Sequence, residues 1–199
     1  MNNIISDLNE LKKVSNHVDP GTDTNELIKE LLTILGRNTA GICLAACQIG
    51  IPLRIGVISC EGVIKHLINP VIKEFKYPAL YTEASLSFPN ILLPTKRYAK
   101  ILLSADNLES TWVGIDDEDK DKVNVATRGF MSAVAIQQLV DHMDGITIFD
   151  RLYKNEPVIK GKEPERNDYV TIINEESGKT LVLKYKKIQN YLKQGWKLV

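Results

Sequence analysis

At 199 residues, 44% hydrophobic and 25% charged, the chain has the make-up of one globular domain of ordinary size, not of a disordered segment. Its 25 basic and 25 acidic residues cancel, which argues against a general binder of phosphate backbones, so no nucleic-acid partner is expected. Cys43, Cys47 and Cys60 form an odd set that does not read as a disulfide framework, so a reducing cytoplasm is the expected setting.

The first residues, Met1 to Asp7, are polar and lack a signal-peptide core, in keeping with that compartment. Ile4, Ile5, Leu8 and Leu11 recur at helical spacing and predict a helix over 2–15, with Ser6 or Asp7 as its cap. Pro20-Gly21 breaks the chain. A second helix is predicted from Asn25 to Leu35, capped by Thr22 or Asp23 and ended by Gly36. Its stripe of Leu27, Ile28, Leu31, Leu32 and Leu35 reads as core packing.

Residues 41–50 are small and apolar around a lone Gln48, which lets another backbone or a ligand come close. Arg54 to Ile58 reads as a strand, and Leu67 to Ile72 as strand and turn broken at Pro70. The apolar run from Ala40 to Ile58 is interrupted by Gln48, Pro52 and Arg54, so no membrane span is expected. Ile101 to Ala105 is a further strand. The charge run Asp116 to Lys122 reads as a solvated loop. A calcium loop starting at Asp117 would need Gly where Lys122 stands and Glu where Arg128 stands.

Ala133 to Gly145 predicts a buried helix with no Pro or internal Gly and a glycine where it should stop. Gln138, Leu139 and His142 share neighbouring positions on it, because i, i+3 and i+4 lie side by side. A metal-hydrolase helix would carry His-Glu-x-x-His here; this one reads Gln-Leu-Val-Asp-His. Ile146 to Leu152 is a short strand or turn. Residues 153–168, with Pro157, Gly161 and Pro164, have linker composition. The tail reads as strand (169–173), turn around Gly178, strand (180–185) and short helix (188–193), too small to hold a core alone.

Three stretches in this order resemble the motifs of the peptide deformylase family: Gly41-Ile42-Cys43-Leu44-Ala45-Ala46-Cys47-Gln48, Glu83-Ala84-Ser85-Leu86-Ser87, and Gln138-Leu139-Val140-Asp141-His142. Asn69-Pro70, Arg97, Asp144-Gly145 and Asp150-Arg151-Leu152 stand where family members carry such residues. The resemblance implies an α+β fold of antiparallel strands wrapped around a central helix. It covers about residues 1–155, leaving 156–168 as linker and 169–199 as a C-terminal hairpin–helix appendage. In that family a Cys and two His hold iron, zinc or nickel, which activates a water. A Glu moves the protons, and a Gln side chain and a backbone N–H stabilise the oxyanion.

Carried over residue by residue, Gln48 stands at the oxyanion glutamine and the N–H of Leu86 at the backbone donor. Ser85 replaces the ligand Cys and Gln138 the first ligand His, while His142 keeps the second. Leu139 replaces the catalytic Glu. Cys43, Leu44, Glu83 and Arg97 complete the pocket candidates. Ser85, Gln138 and His142 are therefore expected to form a vestigial metal site that holds no metal, with no competent catalytic residue. His142 reads either as a core histidine or as a ligand, and Gln48 either as a satisfier of backbone groups or as a binding residue. Arg97 reads either as a surface salt-bridge partner or as a holder of peptide.

Three functions follow as expectations. One is a pseudoenzyme without cofactor, holding an N-terminal methionyl peptide or a protein partner. A second is a hydrolase with changed chemistry, built on a Cys43–His142 pair. The third is an interaction protein that works through its tail. That tail, closing on Gly195-Trp196, resembles short hairpin–helix tails of some bacteriophage proteins. This likeness implies a phage source and action in the host cytoplasm.

Overall fold

The computed structural model describes residues 3–38, 41–153, 166–174 and 179–198. The architecture is α+β, as expected. Its centre is a helix, α3 (Phe130–Met143), buried along most of its length from Ala133 to Met143. A helix that is apolar nearly all round has to be enclosed, and antiparallel strands supply the enclosure. Among the described residues three antiparallel sheets form, in strand order β1-β2-β3, β4-β5-β6 and β8-β7-β9. The first uses Cys43–Ala45, Ile55–Cys60 and Val63–Ile68. The second uses Val71–Ser85, Phe88–Ala105 and Leu108–Gly114. The third belongs to the tail, with β7 (Tyr169–Asn174), β8 (Lys179–Lys184) and β9 (Lys197–Leu198). Helix α3 packs on β1, β2, β5 and β6. Val140, Met143 and Leu139 meet Ile58, Ile101 and Leu103 in one cluster.

The end of α3 is set by chemistry legible in the sequence. Asp144 caps it and Gly145 follows at φ 72°. The Gly145 N–H donates to the His142 carbonyl and the Ile146 N–H to the Asp141 carbonyl, the paired bonds of a Schellman stop. A Cβ on Gly145 would also lie 2.4 Å from the Lys12 carbonyl oxygen. At the other end, the Glu61 carboxylate accepts from the Gly129 N–H and the Ser132 hydroxyl, so a negative charge faces the positive end of the helix.

Several expectations need correction. The first helix, α1, spans only Leu8–Leu11, with Asp7 accepting from Asn9 and Glu10 N–H. Its flanks are used elsewhere: the Ile5 N–H donates to the Gln48 carbonyl and the Ser15 N–H to the Met143 carbonyl. Helix α2 runs Asn25–Arg37, through Gly36, and its preceding residue is Thr24; Asp23 accepts from the Asn25 N–H. Residues 71–85, where strand was expected only to Ile72, form the long strand β4 at a sheet edge, where Pro78 loses no ladder bond it must make. The strand expected over 101–105 is the end of an 18-residue strand, β5.

The tail forms β7, β8, α4 (Gln189–Leu192) and β9, close to the expected order. Val170, Ile172 and Ile188 make a small cluster with Tyr191 and Trp196, and Ile173 packs beside Leu8, Leu11 and Phe88 of the main body. Residues 156–165 of the expected linker, and Gly178 of the expected turn, lie outside the described residues. The charge run 116–122 is exposed, with a short 3-10 turn at Asp117–Asp119. No helix among the described residues is long and apolar enough to cross a membrane.

Candidate functional site

Three elements deliver the three motifs to one place. Strand β1 and the 3-10 turn Ala46–Ile49 bring Cys43, Leu44 and Gln48, the tip of the β4–β5 hairpin brings Glu83, Ser85 and Leu86, and α3 brings Gln138, Leu139 and His142. The hairpin closes tightly, with Ser85 opposite Phe88. The spacing of four between Gln138 and His142 puts both on the side facing it.

The polar side chains there are paired with one another. His142 Nε2 lies 3.2 Å from Ser85 Oγ, which also accepts the Ser87 N–H at 3.3 Å. The amide nitrogen of Gln138 donates to Glu83 Oε1 at 2.6 Å and to the Ala84 carbonyl at 2.8 Å. Its oxygen faces the Cys43 thiol at 3.6 Å. Gln48 accepts the Ala45 N–H at 2.9 Å and donates to Ser87 Oγ at 3.1 Å. Of the two readings left open for Gln48, satisfaction of local groups is thus in place. The exception is His142 Nδ1, which is buried with no partner among the described residues. Burial pushes the His142 pKa down to about 4, against the pull of Asp141 and Glu83, so the imidazole is neutral at pH 7.

Leu139 is completely buried, with its methyl groups on the backbone of Gly56, where an added Cβ would meet Cδ1 at 2.5 Å. Leu86 packs on Gly41 in the same manner, and Leu44 is sealed in the cluster below. Gln48, Ser85 and His142 are all at most 4% exposed.

Arg97 is a salt-bridge partner, as one of its two readings had it, but a buried one. It is neither on the surface nor free to hold a ligand. Its Nε and Nη2 form a fork on Glu83 at 2.6 Å each, and Nη1 reaches Asp141. Burial opposes its charge, but the two carboxylates outweigh that and push its pKa further up. Glu83 also accepts from Thr95 and Gln138, so all four of its acceptor positions are in use. Asp141 also takes Arg151, from Nε at 3.0 Å and from Nη2 at 2.6 Å. This chain of alternating charges, hidden between sheet and helix, was missed by sequence reasoning. Its signal was the presence of Glu83, Arg97 and Asp141 inside or beside the motifs.

The residues at the vestigial positions do not fit a divalent iron, zinc or nickel ion. They offer one imidazole whose Nε2 is bonded, one neutral hydroxyl, and one amide turned to donate toward a carboxylate. Among the described residues no group of three or more His, Cys, Asp or Glu is arranged to hold a metal. Nor do Cys43 and His142 form a nucleophile pair: the thiol faces Gln138, and burial pushes its pKa up to about 12.

Comparison with known proteins places this geometry in context. The family model described as polypeptide deformylase matches residues 2–158. The peptide deformylase of Aquifex aeolicus is 33% identical over 149 residues, covering 71% of this chain and 81% of its own. That of Acetivibrio thermocellus is 31% identical over 147 residues, covering 72% and 78%. Among solved structures, a Legionella pneumophila peptide deformylase superposes with TM-score 0.63 at 23% identity, over 78% of this chain and 88% of that one. The PDF of Vibrio parahaemolyticus bacteriophage VP16T, in complex with actinonin, does so with TM-score 0.60 at 24% identity, over 74% and 100%.

Proposed function

Since the chain belongs to the polypeptide deformylase family, we propose that it is a member that has given up hydrolysis and acts by binding. One observation supports this reading: Leu139, at the position where the family resemblance implies the proton-transferring Glu, is packed onto Gly56. A hydrocarbon side chain cannot move a proton under any shift of environment. Among the described residues no neighbour takes over, because Glu83 is held on all its acceptor positions and His142 is buried beside Ser85. The Ser85–Gln138–His142 cluster then serves as a bonded polar core in place of a metal site.

Two ligands were expected, an N-terminal methionyl peptide or a protein partner. Burial of Gln48 and the packing of Leu86 over Gly41 favour the protein partner over a peptide seated in the former site. A phage source, with action in the host cytoplasm, belongs to the same proposal and rests on the likeness of the tail.

The test is metal content and turnover. Protein purified without oxygen and reloaded with iron, nickel or zinc should hold far less than one metal per chain and should not deformylate a formyl-methionyl peptide. Near one metal per chain together with turnover would refute the reading.

A further inference from the structure

A second concave site lies on a different face of α3. Gln137, Val140, Asp141 and Asp144, spaced i, i+3, i+4 and i+7, line a cavity of about 410 Å³. At 3.6 residues per turn this stripe points roughly a third of a turn away from Gln138 and His142. The cavity is therefore separate from the vestigial site, and its reading does not depend on whether that site is active.

Its walls divide by chemistry. Val71, Ile72, Phe75, Tyr98 and Val140 form an apolar and aromatic side. The Phe75 and Tyr98 rings meet at 4.9 Å between centres, tilted by 47°, yet Phe75 is 49% exposed and Val71 45%. Exposed apolar groups gathered at the rim of a cavity, not scattered singly, mark a binding surface.

The other side is charged, with Arg54, Lys96, Arg97 and Arg151 set against Asp141 and Asp144. Arg97 and Arg151 are taken up by Glu83 and Asp141. Arg54 and Lys96 are not fully taken up. Arg54 is more than nine-tenths buried. Its two terminal nitrogens reach Asp144 and the Pro70 carbonyl, and its Nε–H is buried with no acceptor among the described residues. The Lys96 ammonium lies over the Tyr153 ring at 4.9 Å and meets no carboxylate among the described residues. That Nε–H is enclosed and out of a ligand's reach, so Arg54 acts on the cavity through its charge, which it shares with Asp144, and Lys96 offers the direct donor.

We infer that this cavity binds a small organic anion with an aromatic or branched apolar body, its charged oxygens toward Arg54 and Lys96 and its body between Phe75, Tyr98 and Val140. The volume suits a ligand of that size.

The full chain, titrated with 3-phenylpropionate and followed by calorimetry and amide chemical shifts, should bind in about the millimolar range or tighter. Shifts should centre on residues 71–75, 96–98 and 137–144. Lys96→Gln and Phe75→Ala change exposed side chains and should leave the fold intact. Each should weaken binding about tenfold. The neutral 3-phenylpropionamide should bind at least tenfold more weakly than the acid. Absence of saturable binding, shifts away from these residues, or equal binding of acid and amide would overturn the assignment. Inorganic phosphate binding as tightly as 3-phenylpropionate would also overturn it, because the apolar wall would then contribute nothing.

Discussion

Replacing Arg97 by Met tests whether this arginine is a structural clamp or a binding residue. In the native structure its fork holds Glu83 and its third nitrogen holds Asp141, with all three side chains at most 8% exposed. Methionine fills similar length but supplies no charge. Asp141 keeps Arg151, whereas Glu83 keeps only the neutral donors Thr95 and Gln138. Breaking a buried pair by removing one partner costs about 3–5 kcal/mol, chiefly from the charge left behind. For a chain of this length that lowers the melting temperature by about 10 °C. Urea unfolding should show a lower midpoint with unchanged slope. Stripped of Arg97, the buried Glu83 carboxylate is left without its cation. A cost below about 1 kcal/mol would refute the clamp.

Other outcomes follow from the same site. His142 has a folded pKa of about 4 against an ordinary 6.5, so the unfolded chain takes up the proton first; its contribution is present above pH 6.5 and drains away as pH falls toward 4. In chelator-treated protein, urea midpoints at pH 7 and 5 should record a loss of about 2 kcal/mol that His142→Gln abolishes, and the imidazole signals of His142 should not titrate above pH 5.5. Cys43 should resist alkylation in the native state at pH 7 and react only on unfolding, which mass spectrometry of the digested protein reads directly; rapid selective labelling would revive the Cys43–His142 pair. Leu139→Glu alone should destabilise by about 3–5 kcal/mol and give no turnover. The triple change Ser85→Cys, Gln138→His, Leu139→Glu, loaded with nickel, should lose less stability than the sum of its parts.

The elements most legible in the sequence were those whose signal is local. Helix α3 was readable from its apolar run and Gly145, and the tail from alternating strands around a turn. Strand β4 was not. At a sheet edge it carries Lys73, Glu74, Lys76 and Pro78, residues without the apolar alternation that marks a strand. The ends of α1 were illegible because their backbone groups bond to Gln48 and Met143, far along the chain. The structure brings residues of the three motifs side by side, with His142 beside Ser85 and Gln138 beside Cys43 and Glu83. Nothing local distinguishes a buried arginine from a surface one, so the Glu83–Arg97–Asp141 chain needed the approach of sheet to helix to be seen.

Under the proposed function, Ser85, Gln138 and Leu139 make physical sense as a set. A thiolate at Ser85 or a carboxylate at Leu139 would be a charge in a place that water does not reach, tolerable beside a divalent ion and costly without one. A neutral hydroxyl and a hydrocarbon remove both charges. Glu83 is then the acidic group facing α3 from the hairpin, and the amide of Gln138 gives it a donor that a neutral histidine in the other tautomer could withhold. Leu139 makes close contact with Gly56, where an added Cβ would lie 2.5 Å from its Cδ1 and force the leucine to move. Each change lowers the cost of the others, so reversing one alone should expose a penalty that the set conceals. Under the binding function proposed above, the magnitude of that coupling measures how far the site has exchanged chemistry for a packed core.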